Sequence, residues 1–340
     1  MFIAFMEYDG QEIERVCSEL AKIQKMCENQ FGTTDIFSGS KFYEMIIANE
    51  LDHEMIPGQS GTKDGRDQKG EYEYKHFKEQ SSNHSWTFND YSDATINSLK
   101  NIFSAVFAHI DTSFTPPKFD WYIEVDGKTC SSYLRSRTET LLKTKPKGKV
   151  NARKMINISA NQLESDLELK KTYIKEPKKS GKYYNTILKI SSIQQNLEEI
   201  TGVEQILTGD KIFEVLVAAK LGHVVFSEQK KHDAQDKHGN LYEYKNSKSY
   251  SWNFQDISEA VLKKYEDDKA IILTVVDKIN YKILEIWSAD PLHTIPILKQ
   301  KLEEKKERKM EKDGSQLRRL SVSLSKGDLN KIKAKRIFPN

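Results

Sequence analysis

The chain has few cysteines, no long apolar segment and little net charge. Its three cysteines, Cys17, Cys27 and Cys130, lack metal-ligand spacing and cannot all pair, which favours a reducing compartment. No apolar run approaches the roughly 20 residues that cross a bilayer, and the apolar start at residues 1–6 is too short for a signal peptide. With a net charge of +3, any nucleic-acid footprint has to be local. The sequence therefore predicts a cytoplasmic protein that does not engage a membrane.

Length and apolar spacing predict the fold class. The 340 residues suffice for two domains of ordinary size, and a hydrophobic content of 37% suffices for packed cores. Segments with helical spacing alternate with β-branched and aromatic runs, which favours an α/β fold. Helices are predicted near residues 11–28, 42–51, 92–100, 130–142, 257–265 and 295–304, and strands at 71–77, 102–110, 121–125, 270–276 and 281–287.

The most informative stretch is residues 231–245, where an acidic residue precedes a glycine-centred turn and a Glu-x-Lys pair follows it. Because side chains alternate along a strand, Glu243 and Lys245 are expected on one face. A turn at residues 238–240 folds the chain back and brings Asp233 alongside Glu243. Two carboxylates and an ammonium group at one point suit a hard divalent cation and a phosphate.

The same pattern occurs earlier in the chain, as Asp64, Glu73 and Lys75. Its context also recurs, because the segment 85–90 matches 251–256 at a shift of 166 residues. The sequence therefore contains an internal duplication of about 165 residues per copy, with a pseudo-two-fold arrangement expected. The predicted organisation is a first copy at 1–165, a basic linker at 166–182 and a second copy at 183–340. Ile36, Gly39, Lys41, Glu44, Ala48, Leu51 and His53 recur as Ile206, Gly209, Lys211, Glu214, Ala218, Leu221 and His223, a constant shift of 170.

The Asp…Glu-x-Lys pattern of each copy resembles the PD-(D/E)XK nuclease superfamily. The second copy, from Asp233 through Gly239 to Lys245, is similar at the same spacing to the active-site signature of the PvuII type of type II restriction endonuclease. The flanking segments 39–57 and 261–290 are similar too, so the resemblance covers most of each copy. It implies a restriction-endonuclease-like fold, a mixed sheet flanked by helices, in two tandem copies that form a pseudo-dimer.

Two departures from that signature concern the first acidic residue. Neither Asp64 nor Asp233 follows a proline, and the first copy has one residue fewer between its aspartate and its glutamate. Asp67 and Asp236 are the competing candidates, for which a turn-stabilising role is the preferred interpretation.

The resemblance implies site-specific hydrolysis of double-stranded DNA, assisted by Mg²⁺, with one active site per strand. In this interpretation the metal ligands are Asp64 and Glu73 in one copy and Asp233 and Glu243 in the other. Lys75 and Lys245 then orient or deprotonate the attacking water. The mid-helix residues Glu44 and Glu214 are candidate auxiliary acids, and the alternative is an exposed helix face.

By the same resemblance, the base-reading segments hold short polar side chains: Thr87, Asn89 and Asp90 in one copy, and Asn253, Gln255 and Asp256 in the other. Asn or Gln can bond adenine bidentately, and Asp can accept from cytosine. The alternating aromatics Trp86, Phe88, Trp252 and Phe254 are expected to pack beneath these segments. The basic loops 143–154 and 305–319 either contact phosphates or are solvated charge runs.

Three functions are compatible with the sequence. The first is a single-chain type II restriction endonuclease, monomeric as a pseudo-dimer, with double-stranded DNA as substrate and a cognate DNA methyltransferase as genetic partner. The second is a nicking or repair nuclease in which only the second copy is active, as the shortened first motif suggests. The third is a catalytically dead DNA-binding protein, which the retention of Asp, Glu and Lys in both copies disfavours.

Overall fold

The computed structural model describes residues 8–34, 36–37, 40–58, 63–80, 83–89, 92–144, 155–226, 232–313 and 320–339. These residues divide into two compact units. Unit I contains residues 23–144 and 155–193, and unit II contains residues 8–22 and 194–339. The repeat boundaries expected from the sequence, at 1–165, 166–182 and 183–340, describe the duplication, and the compact units cut across them.

The elements of the first half begin with a long helix and end with a short edge strand. A single 3-10 turn at Leu99–Asn101 follows the third helix. In chain order the elements are α1 (Gly10–Phe31), α2 (Lys41–Leu51), β1 (Glu54–Met55), β2 (Gly65–Arg66), β3 (Glu71–Lys78), β4 (Trp86–Phe88), α3 (Asp93–Ser98), β5 (Ser104–Asp111), β6 (Lys118–Asp126), α4 (Gly127–Thr144), β7 (Ile156–Ile158), α5 (Ala160–Leu167) and β8 (Thr172–Tyr173).

The second half repeats this order element for element, with a shorter helix before its last strand. Its elements are α6 (Tyr184–Thr201), α7 (Lys211–Leu221), β9 (His223–Val225), β10 (Ala234–Asp236), β11 (Leu241–Ser247), β12 (Ser251–Ile257), α8 (Glu259–Tyr265), β13 (Ala270–Asp277), β14 (Lys282–Ala289), α9 (Pro291–Asp313), β15 (Leu320–Ser325), α10 (Asp328–Lys331) and β16 (Lys335–Phe338).

Each half builds a mixed six-stranded sheet, and the two sheets have the same strand order and directions. One sheet runs β1-β2-β3-β5-β6-β8, and the other runs β9-β10-β11-β13-β14-β16. The strand with the Glu-x-Lys pair lies parallel to the central strand, β3 to β5 in one sheet and β11 to β13 in the other. All other pairings in the two sheets are antiparallel. The expected α/β class, with mixed sheets flanked by helices, is confirmed.

The central strands β5 and β13 anchor the two cores. Seven of the eight residues of each are buried, as expected for strands covered on both faces, whose sequences read as apolar runs. Burial of this kind contributes about 1.5–3 kcal/mol per large apolar side chain relative to exposure. The sheets are therefore rigid supports for whatever the neighbouring strands β3 and β11 carry.

Three predicted helices differ from the structure at their beginnings. The helix expected from residue 130 begins at Gly127, and the other two differences follow from the residues at the helix start. The helix expected from Ile257 begins at Glu259, because Ile257 ends β12 and the Ser258 side chain caps the helix by accepting a bond from Val261 N. The helix expected from residue 295 begins at Pro291, a residue preorganised for a first helical position. Cap chemistry, rather than apolar spacing, fixes the latter two boundaries.

A two-stranded ribbon lies beside each main sheet. β4 pairs with β7, and β12 pairs with β15, both antiparallel. A tryptophan fixes each ribbon: the indole of Trp86 donates to Ala108 O on β5 at 2.8 Å, and that of Trp252 donates to Thr274 O on β13 at 2.9 Å. The ribbons are thus held to the central strands by satisfied, buried hydrogen bonds.

The N-terminal segment of each copy belongs to the unit that carries the other copy's sheet. Tyr8 lies in unit II, where its hydroxyl accepts a bond from Val225 N of β9 at 3.1 Å. Tyr183 lies in unit I, where its hydroxyl accepts a bond from Met55 N of β1 at 2.8 Å. The duplication is therefore accompanied by an exchange of N-terminal segments, the exchanged arms, which comprise residues 8–22 and 183–193.

Among the described residues, no helix combines the length and the apolar character needed to cross a membrane.

Candidate active site

The second-copy site is built on the hairpin of β10 and β11. Asp233 N donates to Tyr242 O at 3.0 Å, and Tyr244 N donates to Asp233 Oδ2 at 2.7 Å. Gly239 takes a φ of +78° in the turn between the strands, a backbone conformation that glycine adopts without strain. The predicted turn therefore forms, and it places the Asp233 carboxylate beside β11.

The Glu-x-Lys pair of β11 shares one face, as the strand periodicity predicts. The Lys245 ammonium group donates to Glu243 Oε1 and, at 3.0 Å, to Tyr244 O. Glu243 is 4% exposed. Although burial lowers the pKa of Lys245, the carboxylates of Glu243 and Asp233 raise it above its ordinary value. Lys245 is therefore a cation held between two acids.

The first copy repeats this arrangement. Asp64 N donates to Tyr72 O at 2.7 Å, and Tyr74 N donates to Asp64 Oδ2 at 2.8 Å. The Lys75 ammonium group donates to Glu73 Oε1, and Glu73 is 4% exposed. Asp64, Glu73 and Lys75 thus have the same contacts as Asp233, Glu243 and Lys245.

The residue missing from the first motif is absorbed in the turn. Gly65 pairs with Tyr72 and Ala234 pairs with Tyr242, so each aspartate precedes the same pair of the ladder. The shorter connection follows Arg66, on the far side of that pair, where Gly70 has a φ of +151°. Register is fixed by the buried faces of the strands and not by the turn length. The deletion therefore leaves Asp64 where its counterpart lies.

Asp67 and Asp236, the competing acids, stabilise the turns. Asp67 Oδ1 accepts from Lys69 N at 2.7 Å and from Gly70 N at 3.2 Å. Asp236 accepts from His238 N at 2.9 Å and from Asn240 N at 3.0 Å. Burial acts against ionisation of Asp236, but these bonds outweigh it and hold its pKa well below the usual range. Their preferred turn-stabilising interpretation is confirmed.

A histidine lies against the face of β3 and of β11 opposite the Glu-x-Lys pair, and the sequence did not indicate a role for it at the site. The His223 ring lies 4.0 Å from that of Tyr242, centroid to centroid, and its Nδ1 is 2.7 Å from the Tyr244 hydroxyl. His53 makes the same contacts with Tyr72 and Tyr74, at 4.0 Å and 2.7 Å. These histidines hold the strand from behind, and their recurrence at the 170-residue shift was the available signal.

The helix glutamates Glu44 and Glu214 face the motif aspartates. Glu44 is 4% exposed, so the alternative of an exposed helix face is wrong for it: the helix α2 is buried on nearly every side. Burial and the Asp64 carboxylate raise the pKa of Glu44, although Lys41 lowers it. Glu214 is half-buried, and burial and the Asp233 carboxylate raise its pKa to about 8. Each site therefore contains a third carboxylate from the preceding helix.

The crowded carboxylates favour a cation. The pKa of Glu73 is raised to about 7. Burial makes the largest contribution, the Lys75 ammonium acts in the opposite direction, and the Asp64 carboxylate adds to the rise. Burial and Glu243 raise the pKa of Asp233. Such shifts report repulsion between acids in a poorly solvated place, which a positive ion relieves.

One atom in each site also lacks a partner. Glu73 Oε2 and Glu243 Oε2 are buried and accept no hydrogen bond from the described residues. No group of three or more His, Cys, Asp or Glu side chains suited to a metal ion occurs in the described part of the chain. A site of one or two carboxylates, completed by water and substrate phosphate, is what Mg²⁺ commonly uses. The residues present fit such an ion, with Asp64 and Glu73 or Asp233 and Glu243 as its ligands.

The second site has a buried pair that the first lacks. His232 Nδ1 is 2.6 Å from Asp268 Oδ1, and the Asp268 side chain is fully buried. Burial, Glu243 and Asp233 raise the pKa of Asp268 to about 8. The first copy has Lys63 at the position before its aspartate and Ile102 in the place of Asp268. No local pattern connects these residues, which are 36 positions apart.

The ribbons present the candidate base-reading residues. Asn253, Gln255 and Asp256 are exposed on β12, Asn89 is exposed beyond β4, and Thr87 is half-buried; Asp90 lies outside the described residues. The alternating aromatics Trp86, Phe88, Trp252 and Phe254 are buried, which confirms that they pack beneath the ribbon.

The partner strands contribute polar neighbours that the sequence reading missed. Thr87 Oγ1 donates to Asn157 Oδ1 at 3.0 Å, and Ser323 Oγ donates to Asn253 Oδ1 at 3.4 Å. Asn157 and Ser323 lie in β7 and β15, whose alternating patterns were visible, but strand pairing over 70 residues was not. The loop expected at 143–154 lies outside the described residues from 145 onward. The loop expected at 305–319 is wrong for residues 305–313, which continue the helix α9 to Asp313, and residues 314–319 lie outside the described residues.

A comparison with protein-family models gives no match, and a comparison with curated proteins gives none.

Proposed function

We propose that the chain is a metal-dependent endonuclease that cuts both strands of duplex DNA at a specific sequence, a single-chain type II restriction endonuclease of the PD-(D/E)XK superfamily. One observation carries the proposal: the same triad of aspartate, glutamate and lysine is built twice on equivalent hairpins. Each triad has a buried glutamate oxygen without a hydrogen-bond partner among the described residues, and neighbouring acids raise the pKa of Glu73 and of Asp233. The matching sheet order and directions support a restriction-endonuclease-like fold for each copy.

The side chains have distinct roles in this proposal. When bound, a divalent cation neutralises charge that develops on the phosphate and acidifies a water molecule. Asp233 and Glu243 hold that cation, and the bond from Tyr244 N fixes the Asp233 carboxylate for it. Lys245 stays protonated beside Glu243 and orients the attacking water and the phosphate as a point charge. Asp64, Glu73 and Lys75 do the same for the other strand.

The ribbons suit sequence reading. A two-stranded antiparallel ribbon fits the major groove of B-DNA, where each base pair presents a distinct pattern of donors and acceptors. The outward residues of β12 alternate with Trp252 and Phe254, whose burial fixes which side chains face out. The copies differ at the aligned positions, Thr87 for Asn253 and Asn89 for Gln255. The recognition site is therefore expected to be imperfectly palindromic.

Substituting the ribbon amides tests this assignment. Gln255→Ala and Asn89→Ala are each expected to relax discrimination by about 5- to 150-fold at one half-site, since a bidentate base contact contributes about 1–3 kcal/mol. Competitive cleavage of randomised sites measures the effect, with exposed Ser251→Ala on the same ribbon as the matched control. Unchanged specificity in both amide variants would remove the ribbons from base reading.

Digestion of unmethylated phage DNA tests the activity. With Mg²⁺, purified protein is expected to yield discrete fragments whose mapped ends share one short sequence, and EDTA is expected to abolish cutting. Fragments without a shared sequence would reject specificity. Absence of cleavage with Mg²⁺ and with Mn²⁺ on any unmodified DNA would leave a DNA-binding protein without catalysis.

A nicking nuclease is the second candidate, because one contact differs between the sites. Lys41 lies against the acids of the first site, whereas its counterpart Lys211 bonds elsewhere. Supercoiled plasmid separates the two functions: linear product requires two working sites, and a permanent stop at nicked circles indicates one.

A further inference from the structure

The first site contains an internal cation. Lys41 Nζ lies 2.5 Å from Glu44 Oε2 and 3.6 Å from Asp64 Oδ1, and the lysine side chain is only 9% exposed. Glu44 is held in turn by Ser40, whose hydroxyl donates to Glu44 Oε1. A charged ammonium group therefore neutralises Asp64, one of the two proposed metal ligands, together with the auxiliary acid Glu44.

The second site lacks this contact although the lysine is present. Lys211 occupies the position of Lys41 at the 170-residue shift, but its ammonium group donates to Glu204 O at 3.0 Å. Asp210 stands where the first copy has Ser40, and it pairs with Lys278 at 2.6 Å. Asp210 cannot donate to Glu214 as Ser40 donates to Glu44, and its charge raises the pKa of Glu214 further after burial and Asp233. The two sites therefore differ both in the residue before the lysine and in the partner of the lysine.

We infer that Lys41 makes the two metal sites unequal, so that the second site binds a divalent cation first and cuts its strand first. The inference deepens the proposed function and rests on it. Binding of a cation at Asp64 has to displace a buried ion pair, because two like charges side by side cost several kcal/mol. At the second site Lys211 makes no such ion pair with Glu214 or Asp233, since its ammonium group donates to Glu204 O. Lys211 and Lys264 act on these acids only through the longer-range effect of their charges.

Calcium binding measured by calorimetry separates the sites without turnover. The Asp233→Asn variant loses a ligand of the second site and so reports Ca²⁺ binding at the first, and the Asp64→Asn variant reports binding at the second. The first site is expected to bind Ca²⁺ at least about tenfold more weakly than the second, which corresponds to about 1.4 kcal/mol. Equal dissociation constants, or tighter binding at the first site, would overturn the inference. This comparison leaves Lys41 intact and so does not depend on how a Lys41 variant folds.

A second experiment removes the lysine. Lys41→Met is expected to tighten the weaker Ca²⁺ site at least about tenfold, and the matched Lys211→Met is expected to change neither site. On supercoiled plasmid at limiting Mg²⁺, wild-type protein should accumulate nicked circles, and Lys41→Met should accumulate fewer. A Lys41→Met protein that binds Ca²⁺ as wild type would refute the role of the lysine, even where DNA cleavage itself is established. Failure of wild-type protein to cut DNA would count against the proposed function and not against the difference in Ca²⁺ binding.

Discussion

Lys245→Met is expected to leave a protein that opens only one strand of its site, so that supercoiled plasmid stops at the nicked circle. The loss at the second site should be about 10²–10³-fold, the range for removing one preorganised charge or donor from the transition state. Lys75→Met should give the same product by silencing the other strand. The double variant should cut neither strand and leave the plasmid supercoiled.

The equivalence of the two triads makes this test decisive. Lys75 and Lys245 each donate to the glutamate two residues before them and are each largely shielded from solvent. Methionine keeps an unbranched stem of similar length, so packing changes little while the charge is lost. The exposed Lys282→Met is the control for a lysine loss elsewhere. If either single variant still linearises plasmid at the wild-type rate, one copy is dispensable for cutting.

The metal-free protein is expected to lose about 3 kcal/mol of unfolding free energy between pH 6.5 and pH 8. Burial raises the folded-state pKa of Glu73 to about 7, and burial raises those of Glu214 and Asp268 to about 8. A carboxyl group with a raised pKa still holds its proton in the folded state where the unfolded chain has lost it. The folded state then binds more protons, and stability falls as the pH rises through the folded pKa.

Buried histidines act in the opposite direction at lower pH. Burial lowers the pKa of His223 to about 4 and that of His76 to about 3, so folding gains stability as the pH rises towards 6.5. Above pH 6.5 these histidines are largely neutral in both states, and the carboxyl groups decide the sign. Urea unfolding at pH 6.5 and pH 8 in EDTA measures the slope, and Glu73→Gln should flatten it.

A divalent cation should oppose this loss of stability with rising pH. Ca²⁺ at about 100 times its dissociation constant should add about 2.7 kcal/mol of unfolding free energy per site. Because protons compete with the ion for the carboxylates, the stabilisation by a fixed Ca²⁺ concentration relative to EDTA should be larger at pH 8 than at pH 6.5. The thermal midpoint with and without Ca²⁺ at both pH values checks the prediction. A larger Ca²⁺ effect at pH 6.5, or none at either value, would contradict cation binding by these acids.

The triads were predictable because their geometry is local. Strand alternation places Glu243 and Lys245 on one face, and a glycine turn returns Asp233 to them within ten positions. The duplication and the buried aromatics of the ribbons followed from the same periodicities. The α/β class was predictable too, since apolar runs such as β13 show burial on both faces.

The remaining features depend on contacts that no spacing reveals. Lys41 and Lys211 are aligned in the sequence, yet only Lys41 pairs with the acids of its site, and Lys211 donates to Glu204 O. The His232 and Asp268 pair joins residues that the local pattern treats as unrelated. The sequence likewise did not show whether the missing residue of the first motif displaces Asp64. The observed register places the deletion in the turn and leaves Asp64 in position.

The exchanged arms have a consequence for how such a chain could have arisen. A gene encoding residues 166–340 alone would lack the segment that supplies Tyr8, and Val225 N would lose its hydroxyl acceptor. A gene encoding the first half alone would lack Tyr183 and leave Met55 N in the same position. Two separate half-length products could complete each other only by meeting, whereas the joined gene delivers both arms in every molecule at equal dosage. Fusion in this protein therefore secures stoichiometry.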